Sequence, residues 1–422
     1  MFMKHFRAVV CGLALGALSL PCRAADWPQW RGPARDGHVP PGQAVPESLP
    51  VAPNILWHVP LGEGVSSPIV VGGKVVYEDA GETKEILHVA DAGTGKELWS
   101  TSVDDLHKDT QTKPGPRCTP VSDGALLWAQ SPKGELRCLN LADGKEVWST
   151  NYVKDFGAVW IGEKGRAQGA SRHGYNGSPI LDGDHLIALA GGKDAAVVCF
   201  EKKTGAVLWK SRDETPAYSA PVIETVAGKR QLICFMAKGV TALDPVDGKF
   251  LWHTDVKTDF GRHVMTPVVV GDVVVVSSFQ DGMIGIKVTR EGEGLKSERL
   301  WTSKESATNF SCPVAVGQYV FALGPAKDLV CVDVATGKQM WAKEGFYKNQ
   351  AGMSHAGMLV MKQSVLTLTD SGELVLFPGE PGGFRQISRV SVCGKNWCNP
   401  AYADGKLYLR DEKELKCVQI LP

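Results

Sequence analysis

The chain has 422 residues, 43% of them hydrophobic and 22% charged, with 46 basic and 46 acidic side chains in balance. That length and apolar content support a large folded core and argue against disorder, while the zero net charge gives no basic footprint for nucleic acid. Glycine and proline, at 47 and 25 residues, exceed average usage and demand many turns.

Residues 1–24 read as a secretory signal peptide. Lys4, His5 and Arg7 make a basic start, and Ala24 offers a small residue for cleavage. The apolar run over 8–20 is shorter than the roughly 20 residues of a membrane span, so no span is expected. The mature chain is expected to be periplasmic or secreted. Cys22 could take a lipid, but Pro21 before it suits such a site poorly, so soluble export is preferred. Residues 25–53 form an N-terminal extension. Its opening, "DWPQWRG", gathers Trp27, Trp30 and Arg31 and reads as a brace docked on the main fold.

From residue 54 to 422 the chain repeats. A turn, a polar or charged pair and a tryptophan recur as "TGKELW", "DGKEVW", "TGAVLW", "DGKFLW" and "TGKQMW", with weaker copies "PNILW" and "SERLW". The tryptophans are Trp57, Trp99, Trp148, Trp209, Trp252, Trp301 and Trp341. Such a spacing marks a repeat architecture. Upstream of these phrases, a small residue and a proline open a short apolar strand, a glycine turn and a second strand. Examples are "SSPIVVGGKVVY", "GSPILDGDHLIAL" and "MTPVVVGDVVVVS". A copy over 354–368 has lost the proline. β-branched runs bounded by DG, TG and GG are strand and hairpin signals, and proline fits a strand's first residue. Helix should be scarce, because no long stretch shows a 3.6-residue period.

Eight such four-stranded units predict an all-β, eight-bladed propeller, in which the ring protects its edges. The seventh unit's fourth strand is expected over 383–392. The eighth unit runs out after three strands, and the strand over 54–61 is expected to complete it. The seven tryptophans are expected to pack between blades. Cys138, Cys199, Cys331 and Cys417 occupy equivalent strand positions and read as small buried side chains. Cys393 and Cys398 are close enough in sequence for a local disulfide, an alternative that spacing leaves open. Neither CxxCH nor CxxC occurs.

The repeats, with their "A.D..TGK..W" phrase, resemble those of PQQ-type quinoprotein propellers. The opening "DWPQWRGPARDG", with "LGEGVSSPIV" and "DETPAYSAPVI", resembles a group of exported PQQ-like propellers of uncharacterised role. The family includes PQQ- and calcium-dependent alcohol and sugar dehydrogenases. It also includes the propeller lipoprotein of the outer-membrane barrel-assembly machine, which binds protein without a cofactor. The alcohol dehydrogenases carry adjacent cysteines over PQQ, and this chain has no Cys-Cys pair.

In a propeller the segments leading into the inner strands gather on one rim. Here they supply Arg117, His173, Tyr175, Asn176, Tyr218, Arg262, His263, Asn309, Phe310, His355, Asn396 and Trp397. Stacking and charge-assisted hydrogen bonds from such groups suit a small planar acid, PQQ included, or a peptide segment. The insertion over 151–176, with Trp160, Arg166 and Arg172, is expected to fold over this rim. No GxSxG, HExxH or P-loop occurs. No catalytic residue, metal or cofactor is therefore assigned. The leading expectation is a monomeric, non-catalytic binding or scaffold propeller with a protein partner. The alternative is a PQQ- and calcium-dependent dehydrogenase. A carboxylate cluster on the rim would favour the enzyme, and an apolar rim without one would favour protein binding.

Overall fold

The structure is a computed structural model that describes residues 26–110, 113–348 and 355–421. The expected signal peptide, with Cys22, lies outside the described residues. Eight antiparallel four-stranded sheets follow one another along the chain. The first blade is Ile69–Val71, Lys74–Ala80, Lys84–Asp91 and Glu97–Asp105, ordered from the axis outwards. The last holds Ala401–Ala403, Lys406–Arg410 and Glu414–Gln419, and Asn54–Pro60 completes it. That N-terminal strand pairs antiparallel with the C-terminal one, from Asn54 opposite Gln419 to Pro60 opposite Glu414. The ring is thus an eight-bladed propeller closed by both ends of the chain. Helix among the described residues is confined to Tyr152–Phe156, Ala170–His173 and a 3₁₀ turn at Asp259–Gly261.

Apolar side chains from facing blades form the core. Ile69 and Leu87 of blade one, for example, pack with Leu127 and Leu139 of blade two. The tryptophan phrase carries three devices that bind the ring. First, in seven blades the pairing register slips one residue before the tryptophan, bulging out Leu56, Leu98, Val147, Leu208, Leu251, Leu300 and Met340. A bulge twists an outer strand and spoils it as a template for another chain. Second, in all but blade one, where Val89 faces Trp99, the residue opposite the tryptophan is small: Cys417, Cys138, Cys199 and Cys331 face Trp57, Trp148, Trp209 and Trp341. Gly285 faces Trp301, and a Cβ there would lie 2.3 Å from the indole. Third, the indole lies on the outer turn of the next blade. Trp148 packs on Gly205 and donates to Lys202 O at 2.9 Å. Trp57, Trp99 and Trp301 donate likewise to Ala92, Leu141 and Val334. Gly205 has φ 73°, a left-handed conformation that favours glycine, and a Cβ there would also strike Trp148. Trp252 departs from the pattern and donates to Gln231 Oε1 within its own blade. Blade five lacks the TGK turn and instead extends a long hairpin, Gly282–Glu291 with Gly294–Ser303.

One expectation needs correction, and one alternative left open by the sequence is decided. The outer strand of blade seven is only Ser388–Ser391, shorter than the span 383–392, with neither tryptophan nor bulge. Cys393 and Cys398 are both free. The Cys398 thiol donates to Arg410 O of its own blade at 3.2 Å.

The inner strands are tied round the axis by hydrogen bonds between successive blades. Ser67 N donates to Thr119 Oγ1, Thr119 N to Ser178 Oγ, Thr266 N to Cys312 Sγ, and Asn399 N to Ser67 Oγ. Residues 26–38 thread this ring. Trp27 exchanges backbone bonds with Val70, Pro28 O accepts from Ser122 N, and Val39 N donates to Val360 O. The fully buried Arg35 donates to Pro179 O and Ser178 O at 2.7 and 2.9 Å, and Arg31 donates to Pro313 O. Six blades therefore hold the segment, counting the Trp30 bond to Thr266 in blade five.

Candidate functional site: an axial cup

The threaded segment gives the ring's central space a floor. Above it, on the face where the chain enters the inner strands, is a cup. Trp30 lies at its base, its indole donating to Thr266 Oγ1 at 2.9 Å. Of the twelve rim residues picked out in the sequence, Arg117, His173, Asn176, Tyr218, Arg262, Phe310, His355 and Trp397 line the cup. Tyr175, His263, Asn309 and Asn396 do not.

The division follows strand geometry. Side chains alternate faces along an extended chain. Counting back from each inner-strand proline, the first and third residues face the axis and the second and fourth face the blades. The third positions are Val65, Arg117, Asn176, Tyr218, Val264, Phe310 and Trp397, and all line the cup. Tyr175, His263, Asn309 and Asn396 occupy fourth positions. Three of these four are buried as structural groups. His263 stacks on Phe235 with its centroid at 4.1 Å and bonds Met236 O and Thr258. Burial pushes its imidazole down to about 4. Tyr175 packs edge-on against Tyr152, and Asn396 donates to Thr369 O. The first positions include Ser178, Ala220, Thr266, Cys312 and Asn399, which also line the cup and were missed in the sequence. The period-two pattern ahead of "SP", "AP", "TP", "CP" and "NP" was the signal that would have found them.

Behind the Arg117 and His173 wall is a buried charge cluster. Arg117 makes a two-pronged ion pair with Asp109, at 2.8 and 2.7 Å. Asp109 also accepts from His107 and His173, at 3.2 and 3.1 Å. Burial opposes its ionisation, but the bonds from His107, His173 and Arg117 prevail and hold it well below the carboxylate range. The insertion over 151–176 brings His173 here. Its second helix is anchored by Ala170 N on Pro216 O, and Trp160 meets His107 edge-on at 5.4 Å.

The opposite wall is aromatic and cationic. The Arg262 guanidinium lies 3.9 Å from the Phe279 ring centroid and 5.5 Å from that of Phe310. Phe310 meets Trp397 edge-on at 5.3 Å. Burial lowers the Arg262 pKa, opposed by Tyr218 and Asp259, and the group remains a cation. Among the described residues no carboxylate stands within ion-pair distance of it. Several buried polar atoms in the cup have no hydrogen-bond partner among the described residues: Arg117 Nε, Asn176 Oδ1, Tyr218 OH, Arg262 Nε, His355 Nδ1 and both amide atoms of Asn399. His355 is pushed down to about 3 by burial, so it is neutral at pH 7. Burial also raises the Tyr218 phenol.

This donor set does not suit calcium. The cation takes six to eight oxygens, with carboxylates prominent, and no carboxylate lines the cup. Among the described residues no three His, Cys, Asp or Glu side chains are grouped to hold a metal ion. A guanidinium between aromatic rings, with neutral donors and acceptors around it, suits an organic anion.

The sequence profile of the family described as "Outer membrane protein assembly factor BamB" matches residues 83–343. The outer membrane protein assembly factor BamB of Yersinia pestis is 21% identical over 326 residues, covering 74% of this chain and 75% of the relative. The crystal structure of BamB from Moraxella catarrhalis superposes with TM-score 0.59 at 14% identity, over 87% of this chain and 100% of that one. Quinohemoprotein alcohol dehydrogenase from Comamonas testosteroni superposes with TM-score 0.64 at 12% identity, over 93% of this chain and 80% of that one. At these identities the two structures share the fold.

Proposed function

The chain belongs to the outer membrane protein assembly factor BamB family, and from that premise we propose that it is an exported, non-catalytic propeller that binds a protein segment at the mouth of its axial cup. The observation that carries this reading is the cup's lining: aromatic rings, an Arg262 cation and unpartnered polar atoms, with no carboxylate. A site of that chemistry holds an organic ligand by stacking and hydrogen bonds. The quinoprotein alternative asks the same cup for calcium ligands, and its residues do not supply them. The relatives' description as assembly factors for outer membrane proteins supports a scaffold role outside the cytoplasm, for which the start of the chain reads as an export signal.

The test is site-specific crosslinking in the exporting cell. A photoreactive phenylalanine analogue replaces Phe279 at the mouth, or Leu208 on an outer strand. The reading expects a polypeptide adduct from position 279 and none from 208. Adducts from 208 alone, or from neither position, would overturn it.

A further inference from the structure

Resting on that reading, we propose that the cup is a receptor for a polypeptide C-terminus, taking the terminal carboxylate on Arg262 and an aromatic last side chain against Phe310 and Trp397. Three observations lead there. The cup is a dead end. Residues 26–38 fill the axis below it, bonded to six blades, and Trp30 is its floor. A chain that enters from the open face therefore ends inside or turns back, and the single mouth favours an end.

The sign of the charge selects which end. An amino terminus needs an acidic acceptor, and no carboxylate lines the cup. The carboxylate of Asp109 is consumed by Arg117, His107 and His173. A carboxy terminus needs a cation without an acidic partner, and Arg262 is one among the described residues. Phe279 and Phe310 hold its guanidinium in place by ring contacts and leave its N–H groups available for an ion pair.

The remaining surface suits the last residue. Phe310 and Trp397 form an edge-to-face pair beside the cation, a geometry that accepts a flat ring. The amide of Asn399, buried and unpartnered at both atoms, offers one donor and one acceptor, as a peptide unit requires.

Fluorescence anisotropy with the mature full-length protein tests this. The probes are a fluorescein-labelled octapeptide of serine and glycine ending in tyrosine with a free carboxylate, its C-terminal amide, and unlabelled 3-phenylpropionate as competitor. The free acid is expected to bind, with the amide about 10- to 100-fold weaker, as loss of a charge-assisted contact predicts. Arg262→Gln should weaken the acid by a similar factor and bring acid and amide together, with its melting temperature close to that of the parent. Because the acid–amide comparison uses the parent protein, misfolding of the variant cannot decide the result. Equal binding of acid and amide would overturn the carboxylate assignment. So would no peptide binding, even where crosslinking at position 279 succeeds and the scaffold reading stands. Competition by 3-phenylpropionate as tight as the peptide acid would overturn the polypeptide source in favour of a small aromatic acid.

Discussion

Asp109 accepts hydrogen bonds from Arg117, His107 and His173, and that wall of the cup depends on its charge. Its pKa is held below the ordinary value, so the unfolded state binds more protons as pH falls below about 4. The stability it contributes is present above that pH and is lost as pH falls towards the folded pKa. Asp109→Asn leaves a buried guanidinium without its anion, which should cost roughly 3–5 kcal/mol. Urea melts at pH 7 check the loss, and melts between pH 3 and 5 should show a weaker acid dependence in the variant. Glu85, buried beside His107, has the opposite sign. Burial pushes its carboxyl up to about 8. The native state then holds a proton that the unfolded state releases near pH 4.3, so stability falls as pH rises from there to about 8. Glu85→Gln should melt higher than the parent at pH 8 and equal it near pH 4. At this scale the sequence named eight cup residues, but, His355 apart, it took the larger polar and aromatic groups three or more residues ahead of the strand and ignored alternation. Tyr175, His263, Asn309 and Asn396 entered the set for that reason, and Asn399 and Cys312 were left out of it.

The unit above the residue is the tryptophan phrase. The repeated Trp was legible because the turn phrase before it recurs, although the spacing between copies varies. The bulge before it was not, since Leu98 or Val147 reads as an ordinary strand residue until its register is known. Nor was the pairing of Trp57, Trp148, Trp209 and Trp341 with a cysteine of the third strand, which gives Cys417, Cys138, Cys199 and Cys331 a packing role. Trp148 and Gly205 form one contact between blades two and three. Trp148→Ala should cost about 3 kcal/mol, and Gly205→Ala about 1–3 kcal/mol from the clash and its left-handed φ. The double variant should cost less than the sum, because one contact is lost in both. Chemical denaturation of the four proteins measures that coupling.

For the whole molecule, the eight-bladed ring and its closure by the strand at Asn54–Pro60 could be read by counting strands. The path of the chain before that strand could not. "DWPQWRG" reads as a brace docked on the ring, but nothing in the sequence says that residues 26–38 dock inside it, along the axis, and give the cup its floor. Arg35 holds that segment through two carbonyls in the buried centre, so Arg35→Ala should lower stability by about 2–3 kcal/mol. Limited proteolysis should then cut the segment before the blades. The same floor turns an open channel into a one-ended receptor, which is why the functional reading rests on the whole ring rather than on a motif.

Binding at this cup, as proposed, needs no metal-held quinone. Titration of the mature protein with PQQ, with and without Ca²⁺, tests it directly when tryptophan fluorescence and melting temperature are followed together. No calcium-dependent quenching and no calcium-dependent rise in melting temperature are expected. Saturable quenching with a raised melting temperature, both abolished by chelation, would contradict it.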